Sequence, residues 1–249
     1  MPILKTSAIP LYFTNVSNTS RIVTWLTADY GKLSIIIKGE QRKNSHFRGQ
    51  YDLFSTSELV FYDRTERGMH IAKECALLHR RSIFRTDWRA CAAAGYISAL
   101  FAKTSLRHGH EPQRFDIFEE MLTYAEEYGR NRAFLIWFDL RFAEFSGHRL
   151  QLDDSKRKRN AYRFAADHGG LVEPGYAAHH RIPATPLAPE AVAILKEWQQ
   201  AHSPEIALNR EINPVYITQI ERVLAAFAEH HYDLPPHIRP TAVATLRAA

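Results

Sequence analysis

Residues 21–27 (Arg-Ile-Val-Thr-Trp-Leu-Thr) and 32–38 (Lys-Leu-Ser-Ile-Ile-Ile-Lys) are dense in β-branched and aromatic side chains and read as two strands. Ala28-Asp29-Tyr30-Gly31 between them is turn chemistry, with Gly31 free to take positive φ, so the pair predicts a hairpin. Residues 52–62 alternate, with Leu53, Ser55, Ser57, Leu59 and Phe61 on one face and Phe54, Thr56, Val60 and Tyr62 on the other. A polar turn from Asp63 to Gly68 leads into a strand from Met69 to Leu77, and an opening strand covers Ile3 to Ile9. About five strands joined by short polar turns must curl into a small barrel or sandwich to hide their edges.

The period changes after Arg85. Trp88 to Leu106 is Ala-rich and free of Pro, with Tyr96, Ile97, Leu100 and Phe101 on one helical face. Glu111-Pro112 opens a second helix through Phe115, Phe118, Met121, Leu122 and Ala125, which Gly129 ends. Asn131 caps a third, whose Phe134, Leu135, Phe138, Phe142 and Phe145 recur every three to four residues until Gly147. Three helices on short loops predict an antiparallel cluster.

From Leu150 to Pro189 the pattern breaks. The run Lys156-Arg157-Lys158-Arg159 precedes a short strand at Tyr162 to Ala165, a turn at Asp167-His168-Gly169-Gly170, and Leu171-Val172. Pro183, Pro186 and Pro189 close what reads as an irregular insertion around one hairpin. Helices resume at Glu190–His202 and Val215–His231, and the tail from Asp233, with Pro235, Pro236 and Pro240, reads as poorly ordered. The expected divisions are a barrel at 1–80, helices at 81–149, the insertion at 150–188, and helices with a tail at 189–249.

Charge adds a direction to this layout. The 249 residues carry 32 Lys and Arg against 27 Asp and Glu. Residues 1–90 hold 14 basic and 8 acidic side chains, so the whole excess sits in the front third. A basic module beside a neutral one points to a polyanion-binding head, or to unevenly spread surface lysines. No stretch approaches the ~18 apolar residues of a membrane span, and the N-terminus lacks a long apolar leader, which predicts a soluble, cytoplasmic protein.

Catalytic chemistry finds little support. Two cysteines, Cys75 and Cys91, cannot build a disulfide framework or a four-thiolate zinc site, and both read as buried structural thiols. His108-Gly109-His110-Glu111, His179-His180 and His230-His231 lack the spacing that sets two ligands on one helix face, so no metal is predicted. Neither a phosphate-cradling glycine loop nor a nucleophile elbow is present. The segment Lys38–Tyr51 stands out. Lys38, Arg42, Lys43 and Arg48 are placed to track a phosphate backbone, while Phe47 and Tyr51 either stack on unpaired bases or plug the barrel end.

These residues resemble the bacterial recombination mediator family RecO. The family's N-terminal pattern is matched by Ile22-Val23-Thr24-Trp25-Leu26-Thr27, Gly31, Ile37-Lys38-Gly39, Arg42, Ser45, Gly49 and Leu53-Phe54. Glu40-Gln41 departs from its A-K-G-A-R-like element and displaces Arg42 by one residue. Trp137 to Gly147 resembles its R-F-E-L-x-L-L-x-x-L-G helix, with Trp137 where arginine is usual, and Tyr162 to Val172 resembles its following hairpin. Many members flank that hairpin with CxxC pairs holding zinc. Here Leu152–Arg159 and Val172–His180 contain no cysteine, so the insertion is expected to hold by packing.

The resemblance implies an α+β chain: a five-stranded OB-fold barrel, then a helical domain with a small zinc-less hairpin insertion. It implies binding of single- and double-stranded DNA, strand annealing, and help in loading the RecA recombinase on DNA coated by single-stranded-DNA-binding protein (SSB). RecR and the acidic C-terminal tail of SSB are the implied partners, no enzyme activity or cofactor is expected, and the implied location is the cytoplasm, at the nucleoid. Lys38, Arg42, Lys43 and Arg48, helped by Arg21 and Lys32, are expected on phosphates, with Phe47 and Tyr51 on bases. Arg132, Arg141, Phe134 and Trp137 are expected to form the peptide groove. An RNA-binding OB module and a metal-dependent nuclease are the competing readings.

Overall fold

Strand β1 (Ile3–Asn15) pairs antiparallel with β2 (Arg21–Thr27), which pairs with β3 (Gly31–Ile37); β4 (Thr56–Tyr62) joins β1 to β5 (His70–His79), and β3 meets β5 in parallel. The order β1-β2-β3-β5-β4 closes on itself as a barrel, the OB arrangement, and leaves no free edge. This computed structural model describes residues 1–64, 69–107, 109, 111–153 and 162–247, in two compact units, Met1–Glu126 and Glu127–Ala249. The expected readings at 65–68, His108, His110 and Lys156–Arg159 lie outside the described residues.

In β3 alternate residues point inward, and Leu33, Ile35 and Ile37 meet Val23, Trp25, Leu59 and Phe61 in the barrel core. Gly31 turns the first hairpin at φ +65°, where a Cβ would lie 2.0 Å from the Gly109 carbonyl oxygen. Conformation and space therefore both demand glycine there.

Two strand boundaries differ from the sequence reading. β1 continues past Ile9 to Asn15, because the register shifts between Pro10 and Tyr12 and the ladder accommodates a proline at such an irregularity. β4 begins at Thr56 rather than Asp52. Residues 52–55 form a turn in which the Ser55 hydroxyl donates to the Asp52 carbonyl at 2.7 Å. Phe54 takes φ +64° and is buried while Leu53 is exposed, the reverse of the predicted alternation. Buried Arg81 holds this strained residue, donating to the Phe54 carbonyl at 2.8 Å and the Thr56 hydroxyl at 3.0 Å.

The first unit also contains α1 (Ile83–Thr86), α2 (Trp88–Thr104) and most of α3 (Pro112–Tyr128). Asp87 caps α2 by accepting from the Arg89 and Ala90 amides at 2.9 and 3.1 Å. The Arg81 guanidinium lies 3.7 Å from Glu119 and 3.6 Å from Glu126, so α3 carboxylates neutralise the charge buried against the barrel.

In the second unit α4 (Arg132–Phe145) is the central helix, contacted by α6 (Pro189–Gln200), α7 (Glu205–Leu208), α8 (Pro214–Tyr232) and α9 (Ile238–Arg247). As predicted, Asn131 caps α4, accepting from the Ala133 amide at 2.8 Å. The expectation of a poorly ordered tail is corrected over residues 238–247: α9 is a regular helix with Ala242, Val243 and Leu246 buried. The prolines that suggested disorder lie before it and at its start, where a missing amide costs a helix nothing.

The insertion holds together without thiolates. β6 (Tyr162–Ala165) is flanked by β7 (Gly170–Val172) and β8 (Thr185–Leu187), and the short α5 (Pro174–His179) lies between β7 and β8 in the chain. Phe164, Ala165 and Leu187 are buried. The Gln151 backbone pairs with Gly169 and Leu171 at 2.9 and 2.8 Å, and His231 Nε2 lies 2.8 Å from the Ala166 carbonyl oxygen.

Candidate nucleic-acid interface

The loop between β3 and β4 is built from successive tight turns. Amides of Arg42, Ser45, Arg48 and Gln50 donate to the carbonyls of Gly39, Arg42, Ser45 and Phe47 at 3.1–3.2 Å. Gly39 takes φ +69°, and the Arg42 Cδ lies 3.3 Å from where its Cβ would be, so the arginine stem runs over a residue without a side chain. The Gln41 amide donates to the Thr19 carbonyl at 3.3 Å, tying the loop to the β1–β2 turn.

Phe47 and Tyr51 face inward from this loop. They are 3% and 9% exposed within the barrel core, and Tyr51 packs on Trp25 and Phe13 with centroids 5.4 and 5.8 Å apart. Burial, then the nearby Glu40 carboxylate, pushes the Tyr51 hydroxyl well above its ordinary range. Of the two sequence readings, the plug is the one realised. The expected base stacking by Phe47 and Tyr51 is corrected, because their faces are already covered by the core.

Lys38, Arg42, Lys43 and Arg48 all face outward and are exposed. Among the described residues none of them forms an ion pair with a carboxylate; Arg48 reaches only the Lys43 carbonyl, at 3.5 Å. Two inward anchors therefore fix a loop whose cations stay in water. Arg80, which the sequence reading passed over, joins them, its Nη2 donating to the Gly49 carbonyl at 3.3 Å. The signal was present in Arg80-Arg81 at the end of the last barrel strand.

Two further cations sit differently. Arg21 lies 3.7 Å from Glu40, donates to Asn15 Oδ1 at 3.3 Å and covers the Phe13 ring at 4.9 Å. Lys32 is half-buried, its Nζ donating to the Ala102 carbonyl in the last turn of α2. Burial first, then Arg107, lowers its pKa, and the helix C-terminus supplies the counter-charge. The expectation that Lys32 contacts phosphate is corrected, since its ammonium closes a helix end.

The expected peptide groove on α4 does not assemble either. Phe134 and Trp137 are 0% and 1% exposed, and Trp137 Nε1 donates to the Ala201 carbonyl at 3.0 Å. Arg132 grips Glu221 through two bonds of 2.9 and 2.7 Å, and Arg141 pairs with Glu144. Four other helices contact α4, and its side chains from Ala133 to Leu140, with Phe142 and Ala143, are buried against the protein itself. A groove of about 220 Å³ lies instead between α8 and α9, lined by Thr218, Ala225, Pro240 and Val243 with exposed Arg222 among its walls.

Among the described residues no three His, Cys, Asp or Glu side chains are grouped to hold a metal ion. Nor is any described helix long and apolar enough to cross a membrane. Burial raises the thiols of both cysteines, Cys75 to about 12, which leaves them poor nucleophiles.

Residues 1–81 match the family profile described as recombination protein O N terminal, and residues 85–240 match recombination protein O C terminal. Similar curated proteins are called DNA repair protein RecO. That of Chlorobium luteolum is 25% identical over 82% of this chain and 83% of its own. That of Anaeromyxobacter sp. strain K is 26% identical over 92% and 91%, and that of Bacillus pumilus 21% over 93% and 88%.

Proposed function

The chain belongs to the recombination protein O family, whose members are recombination mediators rather than enzymes, and on that premise we propose that its barrel loop binds single- and double-stranded DNA so that complementary strands anneal. The same reading extends to helping the RecA recombinase load on SSB-coated strands, with RecR as partner, in the cytoplasm at the nucleoid. The observation that carries it is the outward row of Lys38, Arg42, Lys43 and Arg48, without carboxylate partners among the described residues, over a plug of Phe47 and Tyr51.

Cations held at short intervals neutralise neighbouring phosphates and release counterions, an interaction that carries no base information and exchanges easily. Annealing needs that combination, since a strand held through its base edges is unavailable for pairing. The acidic SSB tail is assigned to the α8–α9 groove, where Arg222 would meet a carboxylate and Ala225, Pro240 and Val243 an apolar end.

The test is annealing of complementary oligonucleotides with and without SSB, for the wild type and for the Lys38, Arg42, Lys43 and Arg48 to Ala variant. Acceleration by the wild type and its loss in the variant support the reading. Tighter binding of matched RNA than of DNA would move it to an RNA-binding module, and divalent-dependent degradation of the strands would overturn it.

A further inference from the structure

We propose that Trp88 is a base-stacking platform for an unpaired nucleotide of a DNA strand that crosses the β3–β4 loop. This rests on the DNA-binding reading above and adds to it a residue and a mode of recognition. Trp25, Trp137 and Trp198 are 0–1% exposed, whereas Trp88 is 54% exposed at the first position of α2. The helix does not require it there, since Asp87 supplies the cap. A large aromatic left in water beside cations is the pairing that single-strand binders use, an aromatic face for the base and guanidinium groups for the phosphates.

The surroundings place Trp88 at the far end of the basic loop. Arg80 reaches the Gly49 carbonyl at 3.3 Å, exposed Arg85 lies 3.7 Å from Asp52, and the Phe84 ring meets Phe54 edge-on at 5.4 Å. The loop's residues 49–54 thus lie against residues 80–85, and Trp88 follows Arg85 by three residues. Cys91 lies one turn beyond on the same face of α2, its thiol raised by burial and then by the Asp52 carboxylate. The Arg89 guanidinium lies 5.0 Å from the Trp88 ring centroid, enriching the site in positive charge. The nearby acids are engaged: Asp52 faces Arg85, and Asp87 accepts the first amides of α2. A strand following Lys38 to Arg48 would next meet Arg80 and Arg85, and then an indole face.

The other three tryptophans are buried, so the exposed component of the intrinsic fluorescence, isolated by comparison with Trp88→Phe, reports on Trp88. Saturating wild-type protein with oligo(dT) is expected to quench the exposed, red-shifted part of the emission, and an abasic strand of equal length to bind with little quenching. Trp88→Phe should abolish the quench yet keep most of the affinity, whereas Trp88→Ala should weaken oligo(dT) binding about five- to a hundredfold at fixed salt with the salt slope unchanged. If saturation leaves the emission unaltered, or the abasic strand quenches equally, or Trp88→Ala binds like the wild type, stacking at Trp88 is refuted while a steep salt slope still upholds DNA binding. If the wild type binds no oligonucleotide at all, both readings fall together.

Discussion

Arg239 donates from Nε and Nη2 to a single oxygen of Asp139, at 2.8 and 2.6 Å, with both side chains buried and one hundred positions apart in the chain. A third bond, from Nη1 to the Glu221 carbonyl at 3.1 Å, adds α8 to the junction. The last helix is therefore held to the central helix by charge taken out of water. Such an arrangement is stable only while both partners are present.

Arg239→Ala should accordingly cost about 3–5 kcal/mol, since it strips a buried carboxylate of its guanidinium. Denaturant unfolding gives the number. Replacing both partners with apolar residues, Asp139→Leu with Arg239→Met, should cost clearly less than the single change. A loss under about 1 kcal/mol in Arg239→Ala would show that α9 is not held this way.

Changing Lys38, Arg42, Lys43 and Arg48 together to Ala should flatten the salt dependence of single-strand binding, by about 0.7 in log–log slope for each phosphate left without its cation. Exposed side chains without ion pairs contribute little to folding, so the thermal midpoint should scarcely move. Lys32→Ala should leave the slope alone, because its ammonium is turned to the Ala102 carbonyl. An unchanged slope in the fourfold variant would place the DNA elsewhere.

Phe47→Ala should behave as a core truncation, destabilising the protein by about 3–5 kcal/mol and weakening DNA binding only through the disordered loop. Phe47→Leu, which keeps most of the plug, should bind DNA nearly as well as the wild type. A stable Phe47→Ala protein with lost single-strand affinity would reinstate the stacking role that its burial denies.

His231 predicts an acid-sensitive second unit. Burial first, then the His148 and His230 imidazoles, hold its pKa below the ordinary value, against the opposing bond to the Ala166 carbonyl. The folded state thus binds the proton more weakly than the unfolded state. Its contribution is fully present above the unfolded value of about 6.5 and is lost as pH falls through the lower folded value. His231→Gln should shrink the fall in stability across that window, measured as thermal midpoint against pH. An unaltered acid limb would remove His231 from the account.

Much of the barrel was legible because its strands alternate, and alternation in a chain with one buried face has a single solution. The hairpin at Gly31, the inward set Ser57, Leu59 and Phe61, the Asn131 cap and the β6–β7 hairpin all follow from local pattern and appear where the pattern puts them. The misread sites share one cause. A periodic aromatic says that a residue has an apolar neighbour without saying whether that neighbour is the protein or a ligand. Phe47, Tyr51, Phe134 and Trp137 were equally compatible with both, and each is covered by its own core. Cations have the same ambiguity. Arg42 and Lys32 are both basic residues of the first unit, yet one meets water and the other a helix end.

Sequence alone determined what is set by neighbours along the chain: strand and helix periods, turns, caps, the basic front third and the missing cysteines of the insertion. Tertiary structure decided which faces remain open, because exposure depends on what distant segments cover. It turned Phe47 inward and left Lys38, Arg42, Lys43 and Arg48 in solvent. It also made a helix of a proline-marked tail, by giving Arg239 a buried carboxylate to meet.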